Sequence, residues 1–471
     1  MIAQKADSSS FVAGDFNRLY IWAISSVGAL GGLLFGYDWV VIGGAKPFYE
    51  KFFQLNHPSL QGWAMSCALI GCLIGALTSG QLADRYGRRR LLMLAALMFT
   101  VSSLGTAWAN QFDVFVVWRI AGGFAIGLAS SVSPMYIAEV APAHLRGKLV
   151  SLNQLAIVIG ILLAQLVNWC IARPVPPYST FDQILNSWDG QLGWRWMFGA
   201  TVIPSLLFLS ATFLIPESPR WLIQRGLREK GRAILARIGG EAYSNHVVSD
   251  MDTASPSGAG NSDLQILLQP KMLKIVILGV VLAVLQQWCG INVIFNYAEE
   301  VFSAAGYQVS DILFNILVTG TVNLIFTFVA LFGVDRFGRR VLMLTGSGGL
   351  AFIYTVLGVF YHFKSHGLPM LLLVITAIGC YAMSLAPVTW VIISEIFPNK
   401  IRGTAMSLSI TALWVACFIL TYSFPLLNRS LGAAGTFWIY AGVCMAGFLY
   451  LRAFLPETKG KSLEEIEQSW T

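Results

Sequence analysis

DRYGRR at residues 84–89 returns as DRFGRR at 335–340. Two further stretches return in the same order: IAEVAPAHLRG at 137–147 as ISEIFPNKIRG at 393–403, and PES at 216–218 as PET at 456–458. The offsets are 251, 256 and 240 residues in a chain of 471. Each pair of copies is therefore about half a chain apart. Between the motifs lie long apolar runs. Such a pattern predicts two similar halves arranged as a parallel duplication.

Composition fixes the setting. The chain is 56% hydrophobic and 12% charged, with mean hydropathy +0.66. Soluble domains carry roughly 25% charged residues, so this is an all-α polytopic membrane protein. Crossing the hydrocarbon takes about 20 apolar residues. Twelve runs qualify: 20–45, 62–83, 91–110, 112–138, 149–172, 195–215, 273–302, 311–334, 340–362, 368–394, 405–427 and 434–455. The repeated motifs fall after the second, fourth and sixth run of each half. Gly71/Gly75 and Gly123/Gly127 have the small-xxx-small spacing that lets helices approach closely. The first run is too long for a signal-peptide core and no cleavage site follows it, so it reads as the first span.

Lysine and arginine set the orientation. With both termini cytoplasmic, the inner segments hold 24 of the 31 basic residues and the outer segments six: Lys46, Lys51, Arg173, Arg195, Lys364 and Arg429. Arg119 lies within a span. This bias predicts that topology and accounts for the net charge of +7 without nucleic acid. The divisions are a six-helix half (1–215), a cytoplasmic linker (216–272), a second six-helix half (273–455) and a cytoplasmic tail (456–471). The linker begins SPRWLIQRGLREKGRAILARIGG, whose apolar residues have helical spacing, predicting short amphipathic helices at the membrane surface. SDMDTASPSGAGNS after it has linker composition. The seven cysteines form no CxxC and mostly sit in apolar runs, where they read as small apolar side chains. No cofactor, metal-ligand set or catalytic constellation stands out, and there is no P-loop. The chain reads as a non-enzyme.

The motifs resemble the major facilitator superfamily, and within it the sugar porter family. GxxxDRxGRR at 80–89 marks the superfamily; PESPRWL at 216–222, QQWCGIN at 286–292 and PETKG at 456–460 mark the family. The pattern is closest to bacterial proton-coupled symporters of the xylose type. The resemblance covers nearly the whole chain. It implies alternating access, with a monosaccharide, pentose or hexose, held midway between the halves. Asp84, Arg88, Arg89, Glu139 and Arg146, repeated by Asp335, Arg339, Arg340, Glu395 and Arg402, match the family's cytoplasmic ion-pair lattice, which closes in the outward-facing state. Positive-inside topology alone accounts for the arginines but not for acids placed twice at matching positions.

A neutral, hydroxyl-rich ligand needs amides and aromatic faces. The spans supply Gln154, Gln286, Gln287, Asn292, Asn296, Asn323, Trp390 and Trp414. On a straight helix Gln286 and Gln287 point away from Asn292; a break near Gly290 brings them together. Interhelical hydrogen bonding is the competing use of such amides. The resemblance favours the ligand role for Gln154, Gln286, Gln287, Asn292, Asn323, Trp390 and Trp414. Asn296 stands where the family often has a tyrosine of the outer gate. Ala386 stands for a common glycine, and Leu413 and Cys417 for common polar residues, leaving the choice of sugar open.

Asp38 remains, inside FGYDWVVIGG at 35–44. A charge at such depth costs about 2.5–3.5 kcal/mol or more. Asp38 precedes Lys46 by eight residues and Arg119 follows Asp113 by six, which puts both roughly 9–12 Å below one surface. They are expected to pair. A pair of this kind is either structural or the proton-coupling site, because arginine favours the ionised acid and desolvation the neutral one. Symporters of the family carry the aspartate, and facilitators lack it. The expectation is a sugar–proton symporter, monomeric, in a bacterial inner membrane. The alternatives are a facilitative uniporter and a non-transporting sugar sensor; sensors of that kind carry long extensions, whereas this chain ends about 16 residues after its last span.

Overall fold

Buried in hydrocarbon, a backbone must satisfy its own polar groups, and helices do so internally. The computed structural model describes residues 16–174, 176, 180–253, 269–307, 309–397 and 402–457, and all its regular elements are helices. Spans one to five are Arg18–Phe52, Pro58–Tyr86, Arg88–Trp108, Phe112–Val140 and Arg146–Ile171. Span six starts in a π-turn at Asp189–Gly193 and continues through Trp194–Gly199 and Val202–Thr212. Spans eight and nine are Val309–Phe337 and Arg339–His362.

Spans seven and ten are interrupted. Span seven runs Pro270–Trp288, turns at Gly290 (φ 84°), and resumes as Ile291–Asn296 and Ala298–Ala304. The left-handed region suits glycine. Span ten breaks at Ser384 between Leu368–Met383 and Leu385–Glu395. Pro387 is the cause, since it offers no N–H to the preceding turn. Spans eleven and twelve are two helices that follow each other without a loop over Arg402–Phe454. Their 53 residues, at 1.5 Å each, have a summed length of ~80 Å, enough for two hydrocarbon thicknesses. The chain reverses at Gly432 (φ 68°), which divides the run into the two expected crossings.

The duplication is visible at matching turns. Gly87 (φ 94°) separates spans two and three, and Gly338 (φ 89°) separates spans eight and nine. The linker supplies Pro219–Gln224 and Arg228–Thr253, the latter bent at Gly239 and Gly240. Most of the SDMDTASPSGAGNS stretch and of the 456–471 tail lies outside the described residues.

Glycines set the packing. A Cβ at Gly71, Gly75, Gly123 or Gly127 would overlap backbone of the facing helix, so spans two and four touch backbone to backbone through all four. Between the halves the same device recurs: a Cβ on Gly43 would come within 2.8 Å of the Phe295 carbonyl, one on Gly62 would overlap the Tyr422 carbonyl, and one on Gly320 the side chain of Gln165. Gly43 and Gly62 lie toward the end of the bundle far from DRYGRR and DRFGRR, and Gly320 is eleven residues into span eight from that end. At the motif end, a Cβ on Gly80 or Gly147 would meet nothing within 4 Å.

One expectation fails here. Lys46 was counted as an outer-segment cation. Span one extends to Phe52, so Lys46 lies within the helix, 1% exposed.

Gly123→Val drives methyl groups into the Ala68 backbone. Overpacking costs about 1–3 kcal/mol or more, so the variant should lose several degrees of thermal midpoint and much of its monodisperse yield. Gly80→Ala should leave both unchanged. Size-exclusion-monitored melting checks the pair.

Candidate functional site

At the centre, spans one and four bring Asp38 and Arg119 together. Arg119 Nη1 donates to Asp38 Oδ2 at 3.0 Å and to Oδ1 at 3.2 Å, and both residues are 4% exposed. The guanidinium lies over the Phe198 ring at 5.4 Å. Its Nε is buried without a hydrogen-bond partner. A small pocket opens beside it, lined among others by Trp39, Met65, Cys72 and Asn296. The Asn296 Oδ1 is likewise buried and unpartnered.

The break at Gly290 does what the sequence asks of it. Asn292 Nδ2 donates to Gln287 Oε1. Gln287 Nε2 reaches Gln286 Oε1 at 3.5 Å, and Gln286 Nε2 donates to the Ala386 carbonyl at 3.2 Å, beside the span-ten break. Three amides thus form one chain from span seven to span ten. Trp414 of span eleven is buried against two rings of span one, Phe35 and Trp39, each 6.1 Å away. Trp390 is 39% exposed. Gln154 is half-buried and Asn323 buried in spans five and eight. The structure does not join these three to the amide chain.

Sequence reasoning passed over several neighbours. Phe35 and Trp39 form the aromatic wall facing Trp414. Asn153, Gln165 and Asn168 add buried amides to span five, and Asn168 Nδ2 donates to the Val41 carbonyl at 3.0 Å. Polar residues in an apolar run were the available signal.

At the motif end, Arg88 and its repeat Arg339 are clasped alike. Arg88 donates through Nε to Glu139 at 3.1 Å, and pairs through Nη2 with Glu139 at 3.0 Å and Asp84 at 3.1 Å. Arg339 Nη2 pairs with Glu395 at 3.3 Å. Arg89 donates to the carbonyls of Thr212 and Phe213, and Arg340 to that of Arg452. The organising carboxylates are Glu217 and Glu457, from PES and PET. Glu217 accepts from the backbone N–H groups of Arg88 and Arg89; Glu457 accepts from those of Arg339 and Arg340. Each carboxylate caps a helix N-terminus, where donors are unsatisfied and negative charge is favoured. These ion pairs join helices of one half only.

Arg146, expected in the lattice of the outward-facing state, makes no ion pair among the described residues here, and its Nε is buried without an acceptor. Arg220 adds a like charge. The Asp335 and Arg402 side chains lie outside the described residues.

The family model described as Sugar (and other) transporter matches residues 24–470. The chain belongs to that transporter family. The D-xylose-proton symporter of Escherichia coli (strain K12) is 38% identical, with 97% of this chain and 96% of that protein covered. The arabinose-proton symporter of Bacillus subtilis (strain 168) is 36% identical, with 96% and 95% covered. Among solved structures, the inward open conformation of the E. coli xylose transporter XylE matches with a TM-score of 0.83 at 38% identity, covering 96% of this chain and 100% of that one. The protein is thus a multi-pass membrane transporter with the major facilitator fold, and not an enzyme.

In this transporter Glu217→Gln should destabilise by about 1–3 kcal/mol, the usual range for losing a charge-assisted, partly buried acceptor. Asp84 is 74% exposed on its side chain, so Asp84→Asn should move the thermal midpoint far less. Equal shifts would contradict the clasp.

Proposed function

We propose that the protein imports a monosaccharide, pentose or hexose, together with a proton by alternating access. Its two six-helix halves, 1–215 and 273–455, rock about a central site, joined by the 216–272 linker. It works as a monomer in a bacterial inner membrane with both termini cytoplasmic. The observation that carries the reading is the Asp38–Arg119 pair, fully desolvated and opening on the same pocket as Asn296.

Arg119 keeps its proton at all physiological pH; Asp38 can gain one. Breaking the pair favours the protonated acid, and remaking it favours release. A conformational change that separates the two side chains therefore loads a proton, and the reverse discharges it. A membrane potential of ~100 mV contributes ~2.3 kcal/mol per charge, or roughly a 50-fold sugar gradient.

The sugar hydroxyls are taken by Gln286, Gln287, Asn292 and Asn296 of span seven, with Gln154 and Asn323 closing in from spans five and eight. Trp414 and Trp390 offer faces to the ring CH groups. The close approaches far from DRYGRR, with the open space around Gly80 and Gly147, support an inward-facing state in which the extracellular end is closed. In the outward-facing state the groups Asp84, Arg88, Arg89, Glu139, Arg146, Asp335, Arg339, Arg340, Glu395 and Arg402 close the cytoplasmic end.

Proteoliposomes with an inward proton gradient test the reading. Radiolabelled xylose, arabinose, glucose, galactose and fructose are offered in parallel. Wild type should accumulate one or more of them above equilibrium. Asp38→Asn should abolish accumulation and keep sugar exchange. Equilibration without overshoot in wild type would make the protein a uniporter; no sugar movement would support the sensor.

Gln287→Ala removes one link of the amide chain and leaves Asn292 unpaired. It should weaken sugar binding about 10- to 100-fold, as expected for 1–3 kcal/mol. Tryptophan fluorescence titration measures it. Unchanged affinity would place the sugar elsewhere.

A further inference from the structure

Lys46 is the most deeply buried lysine among the described residues, its side chain 2% exposed, and it sits where the halves meet. Around its Nζ stand three carboxylates: Glu300 at 2.5 Å, Glu50 at 3.1 Å and Glu299 at 3.3 Å. Lys46 and Glu50 belong to span one; Glu299 and Glu300 belong to the Ala298–Ala304 helix of the other half. The ring of Tyr297 lies 5.7 Å from the ammonium.

Charge and hydrogen bonding do not balance. Three ionised carboxylates around one ammonium leave two uncompensated negative charges at a largely desolvated contact. Glu50 Oε1 and Glu300 Oε2 are buried with no hydrogen-bond partner. Buried charge without compensation is resolved by neutralisation.

The neighbouring groups do not complete it. Lys51 adds a second positive charge near Glu50 while donating to the Pro47 carbonyl, which still leaves the cluster one negative charge in excess. Tyr49 points its hydroxyl at Met65 Sδ, and Tyr297 donates to the Thr421 carbonyl. Asp189 accepts from the Arg173 N–H, and Arg195 donates to the carbonyls of Ala107 and Ala109. Arg119 is engaged by Asp38.

We infer that Lys46, Glu50, Glu299 and Glu300 form a second proton-binding site, separate from Asp38, that holds a proton only while the extracellular end is closed. The inference rests on the proposed inward-facing state. The proton belongs to the three carboxylates jointly. When the halves part, Glu299 and Glu300 leave Lys46 and become hydrated, and the shared proton is released.

The sign follows from linkage. The closed state binds the proton more tightly, so acid favours closure and rising pH favours opening. One proton of difference changes the closed-to-open ratio by up to tenfold per pH unit between the two affinities. Entry of the extracellular proton is thereby tied to closing the outer door, without that proton crossing the membrane.

The test measures distance, not transport, so it fails independently of the symport reading. Spin labels are placed on Asn110→Cys and Lys364→Cys, both exposed at the ends of the two halves far from DRYGRR, with Cys170→Ser. Electron–electron distances are recorded in nanodiscs from pH 5 to 8 on an Asp38→Asn background, which silences the first site. The short-distance population should fall by at least severalfold as pH rises. Glu299→Gln/Glu300→Gln should abolish that dependence, and Lys46→Met should raise the long-distance population at pH 7. A distribution that ignores pH, or a pH response that survives the double substitution, overturns the inference. Size-exclusion profiles identify a variant that fails to fold; the double glutamine variant retains every side-chain volume and stands if Lys46→Met is lost.

Discussion

A carboxylate and a guanidinium 3.0 Å apart, each 4% exposed, set the constraint that the surrounding helices must satisfy. Neither charge is tolerable alone at this depth. Together they hold spans one and four at a fixed height. Gly122, one turn from Arg119, faces Ser102: a Cβ there would come within 3.1 Å of its Oγ. Spans two and four approach through paired glycines, and the arginine is enclosed by Phe198 and by the side chains that line the pocket, among them Trp39 and Met65. The pair joins an acid and a base of two different spans out of reach of bulk water, and that makes it the natural seat of coupling.

The two ends of the molecule are built differently. At the motif end, carboxylates cap helix N-termini inside each half: Glu217 on span three, Glu457 on span nine. These contacts tie helices together within one half. At the far end, glycines and the Lys46 cluster tie one half to the other. An element that moves between two states needs contacts of both kinds. Strong interactions belong within the moving parts, and the interactions between parts must be able to exchange.

Much of this was legible in the sequence. The repeats gave the duplication, and an acid and an arginine each within an apolar run gave the expected pairing of Asp38 and Arg119, although Lys46, from which the depth of Asp38 was counted, is itself buried. The spacing of Gln287 and Asn292 required a break, and Gly290 was the residue able to make it. Other features were not legible for definite reasons. Lys46 looked like a loop cation because hydropathy falls there, but the helix runs seven residues past the apolar core and buries it. The partner of Arg146 is not legible, since periodicity assigns a face on a helix and not the neighbour across from it. Glu217 and Glu457 were visible only as repeated motifs, because a backbone N–H acceptor role leaves no mark of its own in sequence. Trp39 is one aromatic among many in an apolar run.

The central claim is that sugar movement carries charge through Asp38. Transient currents on a solid-supported membrane read this directly, with wild type and Asp38→Asn proteoliposomes challenged by a sugar jump at symmetric pH. The account predicts an inward positive current in wild type that vanishes in Asp38→Asn while radiolabelled sugar exchange continues. Sugar uptake by wild type with no current, or an undiminished current in Asp38→Asn, would contradict it.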